Sequence, residues 1–203
     1  MKIFYEILFI LGSYVIGSIP FAYIFTKLIK NVDLSKVGSR NIGATNASRV
    51  LGKKWFFIIM VLDGVKGLIP VLISRAVFPE PAGLMPVLTG LGCILGHSFS
   101  LFLGFKGGKG AAVSTGVLLA LSYKIVIPPV ILFILLVLIT RYISLGSIAL
   151  ALALPVTVLV LEPGSTALFV FTLLIACYVT FKHKDNIQRL LSGTERKWGE
   201  KIK

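Results

Sequence analysis

ILFILGSYVIGSIPFAYIFT, residues 7–26, runs for twenty residues without a charge. About twenty apolar residues in a helix cross the roughly 30 Å hydrocarbon core of a bilayer, so this stretch has the length of a transmembrane span. It lies near the start of the chain, yet it is long for the h-region of a signal peptide, follows Glu6 and lacks an A-x-A cleavage site. We read it as a retained helix. Outward from it, Ala82–Phe105, Gly110–Tyr123, Ile125–Thr140, Tyr142–Leu161 and Pro163–Phe181 are also uncharged, and Trp55–Ser74 is apolar apart from Asp63 and Lys66. The expectation is an all-α polytopic integral membrane protein, a single seven-helix domain over 1–203 with spans about 5–27, 55–75, 82–103, 109–123, 125–140, 142–161 and 164–181. The fourth is short: fourteen residues rise only about 21 Å, so it needs help from its preceding loop.

Composition agrees. The 203 residues are 56% hydrophobic and 14% charged, against roughly 45–50% and 25% in soluble domains. A net charge of +13 would suggest nucleic acid in a soluble chain. Here its distribution gives a different answer, and no nucleic-acid partner is expected. Lys27, Lys30, Lys36, Arg40, Arg49, Lys53, Lys54, Lys106, Lys109, Arg141, Lys182, Lys184, Arg189, Arg196, Lys197, Lys201 and Lys203 fall on one side of the spans. Lys2, Arg75 and Lys124 fall on the other, and Lys66 is inside a span. Basic residues stay preferentially cytoplasmic, which puts the N-terminus outside and the C-terminus inside. Cys93 and Cys177 sit in apolar runs, which argues against a disulfide framework or a Cys-based metal site.

The inside polar segments, 31–54, 104–110 and 182–203, carry the functional signal. In NVDLSKVGSRNIGATNASRVLGKK, a helix over Ala44–Leu51 would place Thr45, Asn46 and Arg49 on one face. A hydroxyl, an amide and a guanidinium together suit a phosphate, although a solvated connecting loop has a similar composition. In GFKGGKGAAVSTG, four glycines surround Lys106 and Lys109 just before a helix. The Walker spacing is absent, but amides turned by Gly107, Gly108 and Gly110 toward a helix N-terminus can still hold an anion. The plainer reading is a tight turn for helix packing. In HKDNIQRLLSGTERK, His183 and Asn186 are three apart and share a face, and Glu195 pairs most simply with a basic neighbour. Asp63 and Lys66 are expected to pair with each other or with the bundle interior, because lone charges in lipid are expensive. His97 either hydrogen-bonds into the site or bridges helices, and Arg141 and Ser144 add an inside cation and a hydroxyl.

The chemistry is narrowed by what the sequence does not contain. It has no carboxylate cluster for a divalent ion, no H-x-x-x-x-D pair, no G-x-S-x-G elbow and no Ser, His and Asp set spaced for a triad. Neither metal nor cofactor is expected. A cationic pocket at the inner membrane face remains, suited either to an enzyme acting on phosphates or to a small transporter of an organic phosphate. The transporter reading predicts inverted repeats and a midplane site. No repeat is visible here.

GSRNIGATN with Arg49, GFKGGKG with Gly116, and HKDNIQRLLSGTE closely resemble the three motifs of the acyl-phosphate-dependent glycerol-3-phosphate acyltransferases, the PlsY family, and DGVKGLIP, GHSF and TRYISLGS resemble its supporting segments. The resemblance implies acyl transfer from acyl phosphate to the 1-hydroxyl of sn-glycerol 3-phosphate in a bacterial inner membrane, giving lysophosphatidic acid and phosphate. That is the first step of phospholipid synthesis, with membrane lipid as the surroundings. It also implies roles residue by residue. His183, Asn186, Ser39 and Arg49 would be catalytic, and Asn41, Thr45, Asn46, Lys106, Gly107, Gly108, Lys109, Gly110, Arg141 and Ser144 would bind substrate. Glu195, Asp63, Lys66 and His97 would support the structure. Three departures from the family pattern stand out: Arg40 replaces a small residue, Ser100 a proline, and Ala112–Val113 an alanine-threonine pair.

Overall fold

The computed structural model describes residues 1–79 and 83–200; Ala82 at the head of the third expected span, and Lys201 and Lys203 among the inside cations, lie outside the described residues. All regular structure among the described residues is helical. Five helical stretches there are long and apolar enough to cross a membrane: Lys2–Lys30, Lys53–Val77, Leu84–Leu103, Tyr123–Thr140 and Ile143–Leu161. Thr166–Lys182 and Lys184–Leu191 pass the same test together, with a 60° bend between them. The expected fourth span is the helix Ala111–Leu121, whose 11 residues rise about 16 Å, half a hydrocarbon core. The chain divides into two compact units, Met1–Leu121 and Ser122–Glu200.

In the first unit, α1 (Lys2–Ser18) and α2 (Phe21–Lys30) are two halves of one stretch broken at Ile19–Pro20. Proline cannot donate to the helical ladder, so the carbonyls around the break need other partners. Lys66 Nζ donates to the Ile19 carbonyl at 2.7 Å and Ser100 Oγ to the Ser18 carbonyl at 2.6 Å. Ser100 is one of the departures from the family pattern, and its hydroxyl supplies a bond that proline lacks. Next come α3 (Ala44–Leu51), α4 (Lys53–Val77), α5 (Leu84–Ser98), a 3-10 turn at Leu101–Leu103 and α6 (Ala111–Leu121). α1 packs on α5 and α4 on α6. Both contacts bring backbones together at small residues, as membrane helices do when no side chain intervenes. Gly96 lies on the Tyr14 carbonyl and Gly116 on the backbone of Gly64. At the far end of α6, Arg75 Nη1 donates to the Ala120 carbonyl at 2.5 Å, closing a helix end that would otherwise be unsatisfied.

In the second unit, α7 (Tyr123–Thr140), α8 (Ile143–Leu161) and α9 (Thr166–Lys182) pack in sequence, and α10 (Lys184–Leu191) turns back against α8 and α9. Pro129 has no N–H to give to Ile125, four residues earlier. Thr157 Oγ1 donates to that carbonyl instead, at 2.8 Å, which lets the proline stay inside α7.

Replacing Gly116 with Ala puts a methyl on the Gly64 carbonyl, where only backbone movement makes room. The expected cost is about 1–3 kcal/mol, read as a thermal midpoint several degrees lower in detergent. Gly12→Ala, which meets nothing within 4 Å, serves as the control and leaves the midpoint unchanged or slightly raised.

Candidate active site

The first polar segment is a folded lobe rather than a solvated loop. Leu34 and Ile42 pack with Ala47 of α3, Ala22 of α2 and Ile59 of α4 in a small apolar core. Asn31 ends α2 in the left-handed conformation, and Asp33 accepts from Ser35 N at 3.0 Å and Ser35 Oγ at 2.6 Å to turn the chain. Those bonds, with Lys36 nearby, hold the Asp33 carboxyl below its ordinary pKa.

α3 covers Ala44–Leu51, but its polar face is divided. Asn46 is 1% exposed. Its Nδ2 donates to the carbonyls of Leu34, Val37 and Asn41 at 3.3, 3.0 and 3.1 Å, and its Oδ1 accepts from Ser39 N at 3.1 Å. Burial beside Leu34 and Ile42 turns the Asn46 amide onto the backbone, where it shapes the loop carrying Ser39 and Asn41. Thr45 and Arg49 remain half-buried at the surface of the lobe, and Ser39 is exposed. Arg40 has φ 58°, the left-handed region that a glycine enters freely and other residues enter at a cost of about 1–2 kcal/mol. This turn is where the family pattern has a small residue.

The glycine loop folds back on the end of α5. Gly104 and Phe105 both take left-handed φ, near 58° and 59°. Phe105 N donates to the Ser100 carbonyl at 2.8 Å, and Gly108 N to the His97 carbonyl at 3.0 Å. A Cβ on Gly107 would strike the His97 carbonyl, which only backbone movement relieves, and one on Gly108 would strike the His97 ring, which would have to shift. Lys106 is exposed, Lys109 half-buried, and Gly110 opens α6 with Ser114 N bonded to its carbonyl at 2.8 Å. The loop therefore presents two lysines beside the positive end of a helix. Beneath it, Lys66 Nζ pairs with Asp63 Oδ1 at 2.7 Å, and His97 Nδ1 stands 3.6 Å from the same oxygen. A cleft enclosing about 200 Å³, the solvent at its mouth included, is lined by Ile42 of the first segment, Gly107 and Gly108 of the second, and Asp63 and His97 between them.

In the second unit, His183 sits at the bend between α9 and α10 and is 5% exposed. Its Nδ1 lies 2.7 Å from the Val179 carbonyl. A carbonyl only accepts, so Nδ1 carries the proton in the neutral ring and Nε2 carries the lone pair. Glu195 organises what surrounds it: Oε1 accepts from Ser144 Oγ at 2.8 Å and Asn186 Nδ2 at 2.6 Å, and Oε2 from Arg189 Nε at 2.7 Å. Arg141 bonds to the C-terminal backbone, its Nη2 3.2 Å from the Trp198 carbonyl and its own carbonyl accepting from Trp198 N at 2.7 Å. Ser144 and Arg141, expected to bind substrate, are thus engaged in holding the tail, because α8 begins where the chain after α10 returns.

This chain matches the glycerol-3-phosphate acyltransferase family model over residues 7–193. It belongs to the glycerol-3-phosphate acyltransferase family. Curated glycerol-3-phosphate acyltransferases from Trichlorobacter lovleyi and Geotalea daltonii are 45% and 42% identical to it, over 93% and 94% of this chain and 95% and 96% of theirs. Among solved structures, it is similar to PlsY, an integral membrane glycerol 3-phosphate acyltransferase crystallised in a glycerol 3-phosphate form. That likeness has a TM-score of 0.86 and 36% identity over 96% of each chain. A lysophosphatidic acid form of PlsY gives a TM-score of 0.84.

Within this family member, sequence reasoning missed the carbonyl partners. Ser100, which donates to the Ser18 carbonyl, and Tyr14, which donates to the Phe99 carbonyl at 2.5 Å, carry no sequence signal as site-shaping residues, whereas Arg189 is the basic neighbour expected for Glu195. For the first two, the partners lie 82 and 85 residues away along the chain, and no local signal points to them.

Burial raises the pKa of Glu195, but the bonds from Arg189, Asn186 and Ser144 and the Arg189 charge outweigh it, leaving the carboxyl below its ordinary 4.5. A depressed folded-state pKa means its contribution is full above about pH 4.5 and is lost as pH falls through the lower folded value. Unfolding followed from pH 7 to pH 3 should show wild-type stability falling in that acid range. Glu195→Gln should be less stable at pH 7 and lack that part of the acid slope.

Proposed function

We propose that this protein transfers a fatty acyl group from acyl phosphate to the 1-hydroxyl of sn-glycerol 3-phosphate, releasing lysophosphatidic acid and inorganic phosphate. The whole chain, 1–203, works as one membrane domain with seven crossings, α6 and the loop before it forming the fourth. The N-terminus is outside, and the active groups lie at the cytoplasmic face of a bacterial inner membrane. The excess of basic residues on the inside segments supports that orientation.

The observation that carries the activity is the glycine loop closed over His97, with Lys109 and the start of α6 at its end and Ile42 of the first segment lining the same cleft. Each substrate phosphate brings about −1.5 to −2 charge. Amides of Gly107 and Gly110 with Lys106 and Lys109 bind the phosphate of glycerol 3-phosphate, on the loop that the bond from Gly108 N to the His97 carbonyl holds in place. Arg49, Thr45, Ser39 and Asn41 receive the acyl phosphate, on the loop that Asn46 shapes. An acyl phosphate is an activated mixed anhydride, so no enzyme nucleophile is needed; orientation and charge stabilisation carry the reaction. The glycerol oxygen bonds to the acyl carbon and the bond from that carbon to the phosphate oxygen breaks. The hydroxyl proton passes to His183 Nε2 and on to the departing phosphate, which leaves as hydrogen phosphate. Asn186, oriented by Glu195, steadies the reacting centre. No metal or cofactor takes part in this scheme.

Purified protein with palmitoyl phosphate and glycerol 3-phosphate should release phosphate in step with lysophosphatidic acid; binding of glycerol 3-phosphate without turnover would instead support the transporter reading. His183→Gln should lower kcat about 10²–10⁴-fold and remove the acid limb of the pH–rate profile. A variant near wild-type rate would take the base role away from His183.

A further inference from the structure

We propose that His97 is a positioning residue for glycerol 3-phosphate: set beside Asp63 and Lys66, it fixes where the Gly107 amide and Lys109 stand by holding Gly108 between them. The inference rests on the glycine loop holding that substrate's phosphate.

Two contacts join His97 to the loop. Its carbonyl accepts from Gly108 N at 3.0 Å, and its ring occupies the place a Gly108 side chain would fill. The ring is in turn held from below. Nδ1 is 3.6 Å from Asp63 Oδ1, Asp63 is held by Lys66 at 2.7 Å, and Lys66 is tied to the Ile19 carbonyl at 2.7 Å. A line of contacts thus runs from the α1–α2 break through α4 and α5 into the loop. All three residues are buried, Asp63, Lys66 and His97 being 3%, 5% and 8% exposed.

A charged pair inside a span is expensive, and well-packed apolar residues often hold helices together as well or better. What an apolar replacement would not supply is a carboxylate 3.6 Å from the imidazole, an electrostatic fix on where the ring sits. That fix matters at this place because the ring's other edge abuts Gly108 and both line the cleft. Small displacements of groups that orient a substrate carry large kinetic effects, whereas a residue that only packs helices affects stability.

The test is steady-state kinetics on full-length protein in detergent, varying glycerol 3-phosphate at saturating palmitoyl phosphate, with thermal unfolding alongside. His97→Asn keeps a side-chain nitrogen near Asp63 but removes the ring from Gly108. The expected result is a KM for glycerol 3-phosphate raised roughly tenfold, with kcat within about threefold and the KM for palmitoyl phosphate unchanged. Gly108→Ala should raise the same KM in the wild-type background and cost less in a His97→Ala background, where the methyl has room. The proposal is overturned if His97→Asn leaves that KM alone while lowering the thermal midpoint. It is equally overturned if the Gly108 methyl costs the same in both backgrounds. Should wild-type protein release no phosphate, the activity reading fails separately, and the brace is then judged by the same comparisons of glycerol 3-phosphate Kd from calorimetry.

Discussion

Backbone carbonyls that lose their helical partners inside a membrane must find another donor, and much of this structure is arranged around that need. The break at Ile19–Pro20 is closed by Lys66 and Ser100, the short α6 by Arg75, and the proline-containing α7 by Thr157. Each donor comes from a different element than the carbonyl it serves. Satisfying the backbone and fixing the packing of elements within each unit are therefore the same event.

The polar segments follow the same rule on the aqueous side. Asn46 gathers three carbonyls and one N–H of residues 34–41, so the loop holding Ser39 and Asn41 has a defined shape before any substrate arrives. Gly108 is bonded to His97, and Glu195 collects Ser144, Asn186 and Arg189. Bonds of this kind fix the backbone of the polar segments in advance, so the groups they leave at the surface keep their places.

How much of this was legible in the sequence depended on range. Uncharged runs announced most of the long helices, and residue spacing announced α3 over Ala44–Leu51. The Asp63–Lys66 pair was readable because its members are three residues apart. The burial of Asn46 is not legible in the same way: spacing puts it on a face with Arg49, while the apolar core of Leu34 and Ile42 draws it inward. α6 is shorter than the uncharged run because such a run does not reveal where a helix begins, and the chain turns through left-handed Gly104, Phe105 and Gly110 before the helix starts at Ala111. Bonds such as Tyr14 to Phe99 depend on which helices become neighbours, which a linear pattern does not disclose.

The most direct measurement is a crystal structure of this protein with glycerol 3-phosphate bound. The account predicts the phosphate within hydrogen-bond distance of the Gly107 amide and Lys109, with Gly108 still bonded to the His97 carbonyl and Asn46 still bonded to its loop carbonyls and out of contact with the ligand. A phosphate coordinated by Asn46, or seated away from the glycine loop, would contradict it.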